Sequence, residues 1–275
     1  MCQQQETLPA GVTAAPFACR RGALTLRGVE YRPAGTALPI AIVCHGFMQN
    51  LDTVRHYARA LAGAGWLAYC FDFSGGCAEG CRSDGATTDM SALTEVEDLQ
   101  AVLAWAASRP YADSGRVLLM GCSMGGFVSA LTAAKLGARV QKLVLFYPAL
   151  CIPDDARAGQ MMSARFDPHE IPEFFDCGPM RLSRRYAADV AGIDPFAAIA
   201  PYPGDVLLVH GDADDVVSVA YSRRAAAAYR AAAPARTVAL HILPGAGHGF
   251  MGRDDETARS LLLGFAAAPA SASGL

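Results

Sequence analysis

The stretch Arg116 to Phe127, R-V-L-L-M-G-C-S-M-G-G-F, constrains the fold more than any other part of the chain. A short apolar run, Val117 to Met120, leads into Gly121-Cys122-Ser123-Met124-Gly125-Gly126, and a helix-forming segment follows. The pattern is strand, tight turn and helix: a nucleophile elbow. A serine at the tip of such a turn sits on strained backbone, and side chains two residues to either side would collide with the neighbouring strand and helix. Gly121 and Gly125 remove those side chains. A free serine hydroxyl is a poor nucleophile at neutral pH. The elbow therefore requires a histidine, an acid and an oxyanion hole elsewhere in the chain.

With 275 residues, 52% of them hydrophobic, the chain can bury one large α/β core and is far too apolar to be disordered. A net charge of -3 without a basic stripe argues against nucleic-acid or anionic-membrane partners and for a small-molecule ligand. No apolar run approaches the roughly 18 to 20 residues of a spanning helix, and the first residues lack the pattern of a secretory signal. The cytoplasm is the expected compartment. The nine cysteines read as reduced thiols, several of them inside apolar strands.

In chain order, residues 1 to 20 read as a loosely attached arm and residues 22 to 32 as a starting hairpin around Gly28. Strands are expected at Pro39 to Cys44, buried on both faces, at Trp66 to Phe73, and, buried, at Val117 to Met120 and Val140 to Tyr147. Helices are expected at Thr53 to Ala64, at Met90 to Ser108 with Asp89 or Ser91 as cap, and from Phe127 to Leu136. From about residue 150 to 200 six prolines interrupt short polar and aromatic pieces. That is far longer than an ordinary connection of about 2 to 6 residues, so a lid or cap is expected there. Alternation then returns with Asp205 to His210, Ser218 to Ala233, Thr237 to Leu243 and Asp254 to Ala267. The expected architecture is α/β: a mostly parallel sheet covered on both faces, with residues 1–149 and 201–275 as core and 150–200 as an inserted lid.

The strand ending at His210 is followed by Gly211-Asp212-Ala213-Asp214-Asp215-Val216-Val217, and the next strand by Pro244-Gly245-Ala246-Gly247-His248. Ser, Asp and His thus occur in the order expected of an α/β-hydrolase sheet. His248 is the expected general base, with one of the three aspartates fixing its tautomer. Early in the chain, His45-Gly46-Phe47 follows a buried strand. The backbone N–H groups of Phe47 and Met124 are the expected oxyanion donors, each worth on the order of 3 kcal/mol of transition-state stabilisation.

These residues carry a resemblance. Together with Phe71-Asp72-Phe73, the segments His45-Gly46-Phe47, Gly121 to Gly126, His210 to Val217 and Gly247-His248 make the chain resemble the α/β-hydrolase superfamily over nearly its whole length, and most of all the bacterial cinnamoyl (feruloyl) esterases. The resemblance implies Asp214 as the catalytic acid, a covalent acyl-enzyme on Ser123, no cofactor, and hydroxycinnamoyl or other small aryl esters as substrates. In that group a lid aspartate holds the phenolic hydroxyl, a role that falls on Asp155 here. Tyr147, Phe166, Phe174, Phe175 and Tyr186 are candidate pocket aromatics. The loop Ser74 to Gly85 departs from the group: it is longer and lacks the usual histidine.

Other readings stay open. Asp212 and Asp215 read as a loop-ordering carboxylate and a helix cap, His45 as a brace for its loop, and His241 as structural. Asp154 and Asp155 could be solvated lid charges. Cys77 and Cys81 are either two free thiols or a redox or metal pair. No metal is expected at His210, Asp212, Asp214 and Asp215, because the triad already accounts for them. A peptidase of prolyl-oligopeptidase type, an acyltransferase and a non-catalytic binding module are the competing functions, and a homodimer is the candidate assembly.

Overall fold

A computed structural model describes residues 7–233 and 236–271. Two antiparallel strands open the described chain, β1 (Val12–Arg21) and β2 (Leu24–Pro33), followed by β3 (Leu38–Cys44), α1 (Arg55–Gly63) and β4 (Leu67–Phe71). Then come α2 (Ala92–Ala107), β5 (Ala112–Cys122), α3 (Met124–Leu136) and β6 (Lys142–Phe146). An insertion carries α4 (Ile152–Arg157), the ribbons β7–β8 (Gln160–Met161, Ala164–Arg165) and β9–β10 (Phe174–Cys177, Met180–Ser183), and the short helices α5 (Arg184–Ala191) and α6 (Pro195–Ile199). The core resumes with β11 (Asp205–Gly211), α7 (Val219–Ala232), β12 (Val238–Leu243) and α8 (Gly252–Ala267).

The main sheet has eight strands in the order β1-β2-β4-β3-β5-β6-β11-β12, parallel from β4 to β12 and antiparallel at its β1 and β2 edge. This is the α/β-hydrolase fold. The continuous apolar runs of the central strands follow from burial on both faces. In β3, Ile40, Ile42 and Cys44 join one core cluster, while Ala41 and Val43 join the other. Leu143 and Leu145 of β6 alternate with Val144 and Phe146 in the same way. Residues of α2, α3 and α7 cover the first face, and Leu61 of α1 and Leu262 of α8 the second.

The start of the chain differs from the sequence expectation. Residues 12–21 are an edge strand rather than an arm, because Phe17 and Cys19 point inward and Phe17 stacks on Trp105 with centroids 4.7 Å apart. Residues 1–6 lie outside the described residues. Strand β5 also begins earlier than expected, at Ala112, where a register shift opposite Pro39 and Ile40 lets its polar start pair with Leu38. Ser91 caps α2 through a full capping box with Thr94. No helix among the described residues is long and apolar enough to cross a membrane.

Four loops at the C-terminal edge of the parallel strands converge, those after β3, β5, β11 and β12, and the insertion leaves the sheet between β6 and β11. At the other flank, Gly28 is where β1, β2 and β4 approach most tightly. A Cβ there would lie 2.3 Å from the Cys70 carbonyl and 2.6 Å from the Phe17 ring. Gly28→Ala is therefore expected to cost about 1–3 kcal/mol, which lowers the melting temperature by roughly 3–10 °C while leaving the site intact. Thermal denaturation followed by circular dichroism checks this.

Candidate active site

Ser123 connects β5 to α3 with φ 53° and ψ -121°, a left-handed conformation costly for any residue with a side chain. The surrounding backbone holds it there. The Ser123 N–H donates to the Phe146 carbonyl at 3.0 Å, and its own carbonyl accepts from the N–H groups of Gly126 and Ala149, both at 2.9 Å. The flanking glycines are a steric requirement. A Cβ on Gly121 would lie 2.1 Å from the Gly125 carbonyl oxygen, and one on Gly125 would lie 2.3 Å from that of His45. Gly46 is the third close approach, since its Cβ would meet the Ser123 Cβ at 3.1 Å.

His248, in the loop after β12, brings Nε2 to 3.0 Å from Ser123 Oγ and Nδ1 to 2.8 Å from Asp214 Oδ2. The Asp214 carboxylate is wholly buried. Its Oδ1 accepts the N–H groups of Val216 and Val217 at 2.9 and 2.8 Å, and its Oδ2 lies 3.1 Å from His210 Nε2. Burial alone would push the Asp214 pKa up, but the hydrogen bonds from His210, His248 and Val217 outweigh it and hold the carboxyl well below the usual range. The carboxylate stays charged and can orient the His248 imidazole through Nδ1, leaving Nε2 to accept the serine proton. The family resemblance implies Asp214, whereas the residue pattern alone leaves three aspartates open; the second support from His210 comes only with the fold. His210 is fully buried, with Nε2 also 2.9 Å from the Val217 carbonyl and Nδ1 2.7 Å from Ser222 Oγ. The four-residue separation of His210 and Asp214 was the available signal.

The other aspartates of this loop lie apart from the imidazole. Asp212 Oδ1 accepts the Gly245 N–H at 2.6 Å, tying two loops together. Asp215 is exposed, and the cap of α7 is Ser218, not Asp215. The cysteine beside the nucleophile is no rival to it: burial, only partly opposed by a hydrogen bond with Tyr147, pushes the Cys122 thiol up to about 12.

Phe47 and Met124 both border the pocket over Ser123. Met124 is the first residue of α3, where backbone N–H groups have no intrahelical acceptor. His45 steadies the Phe47 loop: Nδ1–H donates to the Gly46 carbonyl at 2.8 Å and Nε2 accepts the Phe73 N–H at 3.1 Å. Burial lowers the His45 pKa, so the ring is neutral in this role. His45, Asp72 and Cys77 bring potential metal-ligating atoms within 4.8 Å of one another. The donor set does not fit a metal, because Nε2 of His45 is occupied by Phe73, and the Asp72 oxygens accept Leu51 N–H and Arg82 N–H at 2.7 Å each.

The pocket encloses about 430 Å³ of empty space, part of it open to solvent. Its wall is largely apolar, with Ile152, Met161, Met162, Val216 and Val217, and Asp155 is the one carboxyl among its lining residues. Burial, reinforced by Asp154, raises the Asp155 pKa against the opposing effects of the Cys151 thiol and Arg165. Of the five candidate aromatics only Tyr186 lines this pocket. Its ring lies 5.1 Å from that of Phe47, and its hydroxyl donates to Met124 Sδ at 3.5 Å, so one side chain of the insertion touches both expected oxyanion residues. Tyr147 does not reach the pocket; it packs edge-on behind His248 at 4.8 Å, against Phe250, with its hydroxyl on Cys122. Phe166 and Phe175 pair with each other, and Phe174 is exposed beside Arg181.

The model of the family described as serine aminopeptidase, S33, matches residues 36–175. Est1E from Butyrivibrio proteoclasticus, solved with ferulic acid bound, superposes with a TM-score of 0.81 at 23% identity, covering 92% of this chain and 100% of that one. Pyrococcus furiosus esterase Pf2001 gives 0.69 at 17% identity, over 92% and 91% of the two chains. A 31.7 kDa protein of the traX-finO intergenic region of Escherichia coli is 32% identical over 107 residues. That match takes in 38% of this chain and spans only 36% of the curated relative's length.

Two outcomes are expected from Asp214. Asp214→Asn should reduce kcat by about 10³–10⁴-fold with little change in KM, because His248 then adopts the wrong tautomer; steady-state kinetics of any hydrolysed ester checks it. A carboxyl whose folded pKa is depressed stabilises the fold above its unfolded value near about pH 4, and that contribution is lost as the pH falls towards the folded value. The stability gap between wild type and Asp214→Asn should therefore narrow between about pH 5 and pH 2 in urea denaturation.

Proposed function

The chain belongs to the serine aminopeptidase S33 family and is a hydrolase of the serine α/β type, and from this premise we propose that it is a carboxylic ester hydrolase for hydroxycinnamoyl or other small aryl esters. The observation that carries the reading is the hydrogen-bonded relay Ser123–His248–Asp214 opening onto an apolar pocket with one carboxyl in its wall. In this mechanism His248 Nε2 takes the Ser123 proton as Oγ attacks the ester carbonyl. The Phe47 and Met124 N–H groups receive the oxyanion. The protonated imidazole then gives its proton to the alcohol leaving group, and the acyl group remains on Ser123. Water, deprotonated by the same imidazole, attacks the acyl carbon; the bond to Ser123 Oγ breaks, the imidazolium returns its proton to Oγ, and the acid is released.

The pocket supports this substrate class. The apolar side chains of Ile152, Met161, Met162 and Tyr186 match an aryl ring in character, and Asp155 offers a hydrogen-bond acceptor for a phenolic hydroxyl. The residues of the insertion that line the pocket make the 150–200 segment a lid over the acyl group. Est1E, whose fold this chain shares, is a protein that binds ferulic acid. The family description supports a second reading, an aminopeptidase, in which Asp155 would instead receive a substrate ammonium group.

The two readings separate in one comparison of kcat/KM for methyl ferulate, p-nitrophenyl acetate and an aminoacyl anilide. The expected result is a preference for the ferulate that vanishes in Ser123→Ala and falls about tenfold or more in Asp155→Ala, as the loss of a hydrogen bond to a half-buried carboxyl implies. A preference for the anilide would replace the esterase with a peptidase, and full activity of Ser123→Ala would remove the mechanism altogether.

A further inference from the structure

The loop between β4 and α2 holds a second group of reactive side chains, separate from the relay and from the pocket lining. Its thiols, Cys77 and Cys81, are hydrogen-bonded to each other. Among the described residues Cys81 is the only exposed cysteine, whereas Cys77 is 5% exposed. The pairing is built into the loop. Gly80, at φ 68°, turns the chain back between the two thiols. On one side the Ala78 N–H donates to the Met48 carbonyl at 3.0 Å, and on the other the Arg82 N–H donates to Asp72 Oδ2 at 2.7 Å. The Cys81 sulfur itself lies 3.5 Å from the Phe73 carbonyl.

The two thiols are not equivalent. A thiolate at Cys81 is met by the Cys77 S–H and by the backbone N–H groups of Ser83 and Cys77, which together lower its pKa against burial and the charge of Asp72. The partnership with Cys81, followed by burial, raises the Cys77 pKa. Glu95 faces the pair from α2, and burial, with the neighbouring Asp98 and Cys81, raises its pKa. One thiol is accessible and stabilised as a thiolate; the other is sheltered and within reach of it.

We propose that Cys77 and Cys81 form a redox-active dithiol, in which Cys81 reacts first with a hydroperoxide and Cys77 resolves the product into an intramolecular disulfide. The Cys81 thiolate attacks a peroxide oxygen, the O–O bond breaks, and the departing hydroxide takes up a proton as water, leaving a sulfenic acid. The Cys77 sulfur then attacks that sulfur, the S–O bond breaks, and the second hydroxide leaves as water with the Cys77 proton. Two thiols are oxidised by two electrons while one hydrogen peroxide is reduced to two waters. The Met48 carbonyl that holds this loop belongs to the residue after Phe47, so the dithiol sits directly behind the oxyanion loop.

The test is to expose the reduced full chain to stoichiometric hydrogen peroxide, block remaining thiols with N-ethylmaleimide under denaturing conditions, and map the products by mass spectrometry. The expected result is one disulfide joining Cys77 to Cys81, reversed by dithiothreitol, with the other cysteines alkylated. In Cys77→Ser, Cys81 should instead accumulate a sulfenic acid that dimedone traps; in Cys81→Ser, Cys77 should remain a thiol at the same dose. Wild-type protein that keeps both thiols at a dose that oxidises a free cysteine peptide would overturn the proposal, whether or not the variants fold. So would a disulfide that joins either residue to a different cysteine. Neither result depends on the esterase reading.

Discussion

The backbone at Ser123 is the constraint on which the rest of this structure depends. A non-glycine residue held at positive φ is costly, and here it is retained because three hydrogen bonds and two glycine contacts leave the chain no easier path. The carbonyls that exclude a side chain at Gly125 belong to Cys44 and His45, at the end of β3. The same packing that strains Ser123 therefore sets the position of the Phe47 loop, through close backbone contacts with the end of β3.

A second layer fixes the charges. Asp214 is buried yet accepts four hydrogen bonds, two from backbone N–H groups and one each from His210 and His248. A carboxylate so completely solvated by protein remains ionised without water and cannot rotate away from His248. Tyr147, also at positive φ, packs edge-on against His248 and closes the other side of the ring. The imidazole is thus confined by an acid in its plane and an aromatic ring at its edge.

Much of this was legible in the sequence because glycine and periodicity have direct steric meaning. The runs Pro39 to Cys44 and Val140 to Tyr147 announced buried strands, and Gly121 and Gly125 announced the elbow, because few other arrangements require those residues there. What was not legible depends on partners distant in the chain. Phe17 makes residues 12–21 a strand only because Trp105 lies beneath it. Tyr147 reads as a pocket aromatic until the left-handed turn at its own backbone carries its ring behind His248. The aromatic residues of 150–200 look interchangeable, yet only Tyr186 reaches the pocket, since the two ribbons direct Phe166, Phe174 and Phe175 elsewhere.

The insertion between β6 and β11 supplies most of the pocket wall, which Phe47, Met124, Val216 and Val217 of the core complete, and the loops of the sheet carry Ser123, Asp214 and His248. Over the pocket the two parts meet where Tyr186 packs on Phe47 and Met124. The central claim is that Ser123 carries the acyl group between two half-reactions. It is tested most directly by mixing the protein with an activated aryl ester, quenching in acid within one turnover, and locating the added mass by peptide fragmentation. The account predicts one acyl group on the peptide containing Ser123 and none in Ser123→Ala. An acyl group on another residue, or rapid turnover with no covalent species and an unaffected Ser123→Ala variant, would contradict it.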